Sequence, residues 1–100
     1  MNLGAALISS LLELFYLITE FYIYILIVGA VMSWLIAFEV INTRSQFVQS
    51  LGKFIARVTD PPLKYIRRLL PPAGGIDLSP LILIFIIWFL RRFIVHLVIG

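Results

Sequence analysis

The stretch Phe21–Phe38, FYIYILIVGAVMSWLIAF, lies between Glu20 and Glu39 and carries no formal charge. As a helix it measures about 27 Å, close to the roughly 30 Å hydrocarbon core of a bilayer. The rest of the chain has the same character. Of its 100 residues 62% are apolar and 13% charged, where soluble domains run near 45–50% and about 25%. A soluble chain this small buries only about 60% of the surface that unfolding exposes, too little to hide so much apolar area. The composition predicts an all-α membrane protein, residues 1–100 forming one domain.

Working toward the N-terminus, the apolar block begins near Leu3 and continues to Ile41. One helix of that length would be about 58 Å long, so only part of it can span. Asn2, Ser9, Glu13, Tyr16 and Glu20 recur at helical spacing and form one polar stripe. Either the stripe faces water, from an interfacial helix or an extension beyond the bilayer, or it faces another helix or a water-filled path. Gly29, Ser33 and Ala37 follow at four-residue steps, a pattern that lets helix backbones approach closely. It would pack on a second span or on another copy. No Lys or Arg precedes Arg44, and the apolar run is too long for a signal peptide, so residues 1–41 are expected to persist as an N-terminal helix with the first span.

Working toward the C-terminus, residues 42–79 form a basic connection. Asn42 or Thr43 can cap a helix. Phe47, Val48, Leu51, Phe54, Ile55 and Val58 then share one face, with Arg44, Gln46, Gln49, Lys53 and Arg57 around the rest. This amphipathic helix either lies in the headgroup zone or packs its apolar face on the spans. Thr59-Asp60-Pro61 reads as a stop and restart, with Asp60 as cap and Pro61 at the first helical position. Lys64, Arg67 and Arg68 follow on a short helix that Pro71, Pro72, Gly74 and Gly75 end. Asp77 and Ser79 can satisfy free N–H groups at the turn, and Ser79-Pro80 opens a second span over 80–99, about 30 Å long. The expected fold is a hairpin of two transmembrane helices joined by a short amphipathic interfacial helix and a Pro/Gly-rich turn.

Six of the eight basic residues lie between the spans. The positive-inside rule places them in the cytoplasm and both termini outside. Arg91 and Arg92 fall within the second span, and charges at that depth pair, face protein or snorkel. Glu20 is expected to pair with Arg91 or Arg92, within one chain or between copies, against independent snorkelling of each. The chain has no cysteine and one histidine, His96, so it contains no thiolate metal site and is expected to hold no metal or cofactor. No nucleophile and base stand at a recognisable spacing, so no catalytic residue is assigned. The few basic residues beside an apolar face argue against direct nucleic-acid binding.

The ordered series Thr59-Asp60-Pro61-Pro62-Leu63, Ile66-Arg67-Arg68, Leu70-Pro71-Pro72 and Gly74-Gly75-Ile76-Asp77-Leu78-Ser79-Pro80 closely resembles the signature of the YggT family. Ser33-Trp34 resembles that family's Ser-Trp element, and Asn42 falls where members often have asparagine. The resemblance covers about residues 7–95, and Val40–Val48 is most similar to alphaproteobacterial members. It implies a bacterial inner-membrane protein with a single family repeat. It also implies links to cell division, nucleoid distribution, cytochrome assembly or osmotic and potassium tolerance.

Taken together, the residues favour a non-enzymatic scaffold or assembly factor. Arg57, Lys64, Arg67 and Arg68 would form a surface for anionic lipid and a protein partner, such as a division or membrane-complex component. The alternatives are an oligomeric channel or transport accessory lined by the N-terminal polar stripe, and, from the resemblance alone, a cytochrome maturation factor.

Overall fold

The computed structural model describes residues 2–70 and 77–99. Three helices account for nearly all of them: α1 (Leu3–Ala37), α2 (Gln46–Leu69) and α3 (Ser79–Ile99). The fold is all-α, and α1 and α3 are each long and apolar enough to cross a membrane. Pro71, Pro72, Gly74 and Gly75, assigned to the turn between α2 and α3, lie outside the described residues.

α1 starts where the Asn2 side chain accepts a hydrogen bond from the Ala5 N–H, an N-cap that satisfies one of the helix's free donors. It ends in a Schellman arrangement. The Val40 N–H donates to the Leu35 carbonyl and the Glu39 N–H to Ile36, which uses two of the last free acceptors. The motif needs a left-handed residue, and here it is Glu39, at φ 59°. At 1.5 Å per residue α1 is about 52 Å long, nearly the 56 Å long axis of the molecule.

Helix α2 departs from the sequence expectation at two places. Its N-cap is Ser45, not Asn42 or Thr43. Asn42 instead accepts from the Arg44 N–H and closes a turn, while Gln49 Nε2 donates to the Thr43 carbonyl. The stop and restart at Thr59-Asp60-Pro61 does not occur: one helix runs through Pro61 and Pro62. Two consecutive prolines remove the donors that would bond the carbonyls of Arg57 and Val58. The Tyr22 hydroxyl of α1 donates to the Val58 carbonyl at 3.0 Å, restoring a partner to one of the two. Packing of Ile55, Thr59 and Leu63 against the spans holds the same segment helical. Tertiary contact thereby overrides a local break signal.

The hairpin core is small. Ile23 and Leu26 of α1, Leu63 of α2, and Leu83 and Ile84 of α3 form its buried cluster, with Tyr22, Ile66 and Ile87 packed around it. Outside this cluster, large apolar side chains on both candidate spans are exposed along their whole length. Apolar side chains turned outward suit lipid, which is as apolar as leucine and leaves close packing and polar contacts to hold helices together. α1 and α3 run antiparallel, joined by polar contacts from Trp34 to Asp77 and from Glu20 to Arg91. On each strand of the hairpin the two contacts are the same number of residues apart, about 21 Å along a helix, so the register is pinned at both ends.

Candidate functional site

The helical wheel of α2 divides into three faces at about 100° per residue. Ile55, Thr59 and Leu63 are buried against the spans. About a quarter turn or more away, Phe47 (74% exposed), Phe54 (59%) and Tyr65 (68%) form a second apolar stripe that none of the described residues covers. Beyond it Lys53, Arg57, Lys64 and Arg68 share the third face, all exposed. None of these four pairs with a carboxylate among the described residues, and Arg68 lies over the Tyr65 ring at 5.7 Å. One part of the apolar face therefore packs on the spans, as one of the two sequence expectations had it, and the other part points outward beside the basic residues.

Arg67 does not belong to that basic face. Its Nη1 lies 3.3 Å from Asp60 Oδ1 and its Nη2 2.9 Å from Asp77 Oδ2, and its Nε donates to the same Asp77 oxygen at 3.1 Å. Asp77 Oδ1 accepts from both the N–H and the hydroxyl of Ser79, while the Asp77 carbonyl accepts from Trp34 Nε1 at 3.2 Å. One network therefore ties α1, α2 and the start of α3 together. Burial pushes the Asp77 carboxyl upward, but the Ser79 and Arg67 hydrogen bonds and the Arg67 charge outweigh it and hold it below its ordinary range. Asp60 and Thr59, read from sequence as a helix boundary, sit inside α2. Asp60 is an ion-pair partner rather than a cap, and Thr59 is buried with its hydroxyl donating to the Ile55 carbonyl. Ser79 is fully buried, with Pro80 buried next to it.

Of the two arginines in α3, Arg91 reaches Glu20. Its Nη1 lies 2.9 Å from Glu20 Oε2 and 3.4 Å from the Thr19 hydroxyl, and its guanidinium sits 4.0 Å over the Tyr16 ring. The Arg91 side chain is 12% exposed, and Arg92 is exposed with no carboxylate partner among the described residues. The contact is made within one chain. It takes Tyr16 and Glu20 out of the polar stripe and leaves Ser9 and Glu13 exposed.

Of the small residues of α1, Gly29 packs on α2. A Cβ on Gly29 would stand 2.8 Å from Ile55 Cγ2. Ser33 lines a cavity of about 230 Å³ between α1 and α2, together with Met32, Ile36, Ala56, Asp60 and Arg67. Ala37 is exposed at the helix end. Sequence reasoning did not single out Tyr22 or Thr19. A signal for Tyr22 was present, since consecutive prolines announce carbonyls in need of an outside donor. Thr19 carried none. Among the described residues no group of three His, Asp or Glu could hold a metal ion.

No solved structure matches the chain. It is 38% identical over 77 residues to an uncharacterized protein of Haemophilus influenzae, covering 77% of this chain and 38% of that protein. It is 37% identical over 81 residues to the uncharacterized protein YggT of Escherichia coli K12, covering 81% of this chain and 38% of that one. The chain thus spans less than two fifths of the length of these relatives. The model of the CCB3/YggT family matches residues 8–98, including the Asp60–Arg67–Asp77–Ser79 network and the Trp34 indole that joins it. The chain belongs to the CCB3/YggT family.

Proposed function

We propose that this protein is a non-enzymatic scaffold of the bacterial inner membrane. α2 lies on the cytoplasmic side, and its basic face recruits a protein partner at an anionic lipid surface. The observation that carries this reading is the uncovered pairing on α2 of Phe47, Phe54 and Tyr65 with Lys53, Arg57, Lys64 and Arg68. An exposed apolar stripe next to lysine and arginine suits the boundary between acyl chains and headgroups. Arg67 leaves the surface inferred from sequence because two carboxylates already engage it, and Lys53 takes its place. The links to cell division and membrane-complex biogenesis attached to the family indicate the class of partner to seek. The channel reading draws less support, since Glu20 and Tyr16 are engaged by Arg91 inside one chain.

Two measurements test the proposal. Single cysteines at Ser50 and Asn2 report topology, and Ser50 is expected to label only after permeabilisation. A photo-crosslinker at Ser50 is expected to join a cytoplasmic protein, and reversal of Lys53, Arg57, Lys64 and Arg68 to Glu is expected to abolish that product while the chain stays in the membrane fraction. Labelling of Ser50 in intact cells, or crosslinks that survive the reversal, would refute the proposal.

A further inference from the structure

The cavity between α1 and α2 has walls of two kinds. Leu26, Met32, Ile55 and Leu63 make it apolar, while Asp60 and Arg67 stand at its polar end. Its volume of about 230 Å³ exceeds the roughly 150 Å³ of an apolar cavity that accepts benzene. The rim is open, because Ile36 and Arg67 are exposed and Asp60 is partly so.

Asp60, Arg67 and Asp77 carry two negative charges against one positive. Asp77 is well supplied, by Ser79 at one oxygen and Arg67 at the other. Among the described residues Asp60 receives a single hydrogen bond, from Arg67 Nη1 at 3.3 Å. The unmatched acceptor therefore sits on Asp60. On the surface of α2 Asp60 is flanked by Arg57, three residues before it, and Lys64, four residues after it, both exposed. Residues at those spacings are helix-surface neighbours, and neither forms an ion pair with Asp60. An acceptor between two cations matches a zwitterion whose ammonium meets the carboxylate and whose phosphate meets the flanking cations.

The geometry points to a binding site for a glycerophospholipid with a primary-ammonium headgroup. Its acyl segment occupies the cavity, its ammonium hydrogen-bonds Asp60, and its phosphate lies between Arg57 and Lys64. The site rests on the proposed function only for the placement of α2 in the headgroup layer. A quaternary ammonium lacks the N–H that Asp60 needs, and an anionic headgroup without an amine offers Asp60 at most a neutral hydroxyl donor, a weaker partner than an ammonium.

Native mass spectrometry of the full chain in mild detergent tests this, with dioleoyl phosphatidylethanolamine, phosphatidylcholine and phosphatidylglycerol titrated separately. Phosphatidylethanolamine is expected to bind about tenfold more tightly than the other two, the scale of one charge-assisted hydrogen bond. Asp60→Asn is expected to erase that preference. Ala56→Leu, which fills the cavity without changing charge, is expected to weaken phosphatidylethanolamine by a similar factor. Lys53→Glu with Arg68→Glu is expected to leave the preference intact while impairing partner recruitment, so the site and the scaffold reading can fail separately. Equal binding of the three lipids by the unaltered chain, or tighter binding of phosphatidylglycerol, would overturn the site whatever the variants do. So would an unchanged preference in Asp60→Asn.

Discussion

Replacing Asp77 should loosen the whole hairpin, because this one carboxylate serves two helices. In Asp77→Ala the Ser79 N–H at the start of α3 loses its acceptor, comparable to loss of an N-cap at about 1 kcal/mol. The Ser79 hydroxyl, on a fully buried residue, is left without a partner at a cost of about 1–3 kcal/mol. Arg67 loses its two-pronged contact. With its side chain 43% exposed, solvent screening limits that part to about 0.5–1 kcal/mol. The sum is about 2.5–5 kcal/mol. Asp77→Asn keeps an oxygen for Ser79 and loses mainly the charge, so it should cost about 1 kcal/mol. The assay is reversible unfolding by SDS in mixed micelles, followed by far-ultraviolet circular dichroism and, in a Trp88→Phe background, by the fluorescence of Trp34. The pH dependence has a defined sign. A carboxyl whose pKa is lowered by folding stabilises the fold above its ordinary value of 3.8, and that contribution is lost as pH falls from there through the folded-state value. Asp77→Asn should lack this acid-dependent component. An Asp77→Ala protein within 1 kcal/mol of the unaltered chain, or an Asn variant as damaged as the Ala variant, would refute the reasoning.

The remaining predictions concern the other polar and close contacts. Tyr22→Phe removes the donor to the Val58 carbonyl and should cost about 1 kcal/mol. In a Pro62→Ala background, where residue 62 regains its N–H, the same change should cost much less, and a double-mutant cycle with no coupling would disprove the compensation. Gly29→Ala places a Cβ 2.8 Å from Ile55 Cγ2 and should destabilise by about 1–3 kcal/mol, with Ile55→Ala recovering part of the loss on SDS titration. Arg91→Gln, which strands Glu20, should reduce the folded fraction far more than Arg92→Gln. Equal effects would mean that the Glu20 contact contributes nothing.

Much of this molecule follows from local pattern alone. An uncharged apolar run between Glu20 and Glu39, a second one from Pro80, and a basic segment between them suffice for two candidate spans and an amphipathic connector, because span length and helical periodicity are properties of contiguous residues. The partnership of Glu20 with an arginine of α3 was also accessible, since charges at membrane depth have few alternatives to one another. Which arginine makes it was not, because Arg91 and Arg92 differ only in the side of α3 they occupy once α1 is packed. Tertiary structure alone decided that α2 continues through Pro61 and Pro62. Every local signal there says stop, and the opposing contributions come from Tyr22, about ten turns away in sequence, and from burial of Thr59 and Leu63. It likewise decided that Arg67 leaves the basic face for Asp60 and Asp77 while Arg68 stays on it. Adjacent helical residues point about 100° apart, and only the packed position of α3 brings Asp77 to one of them and not the other.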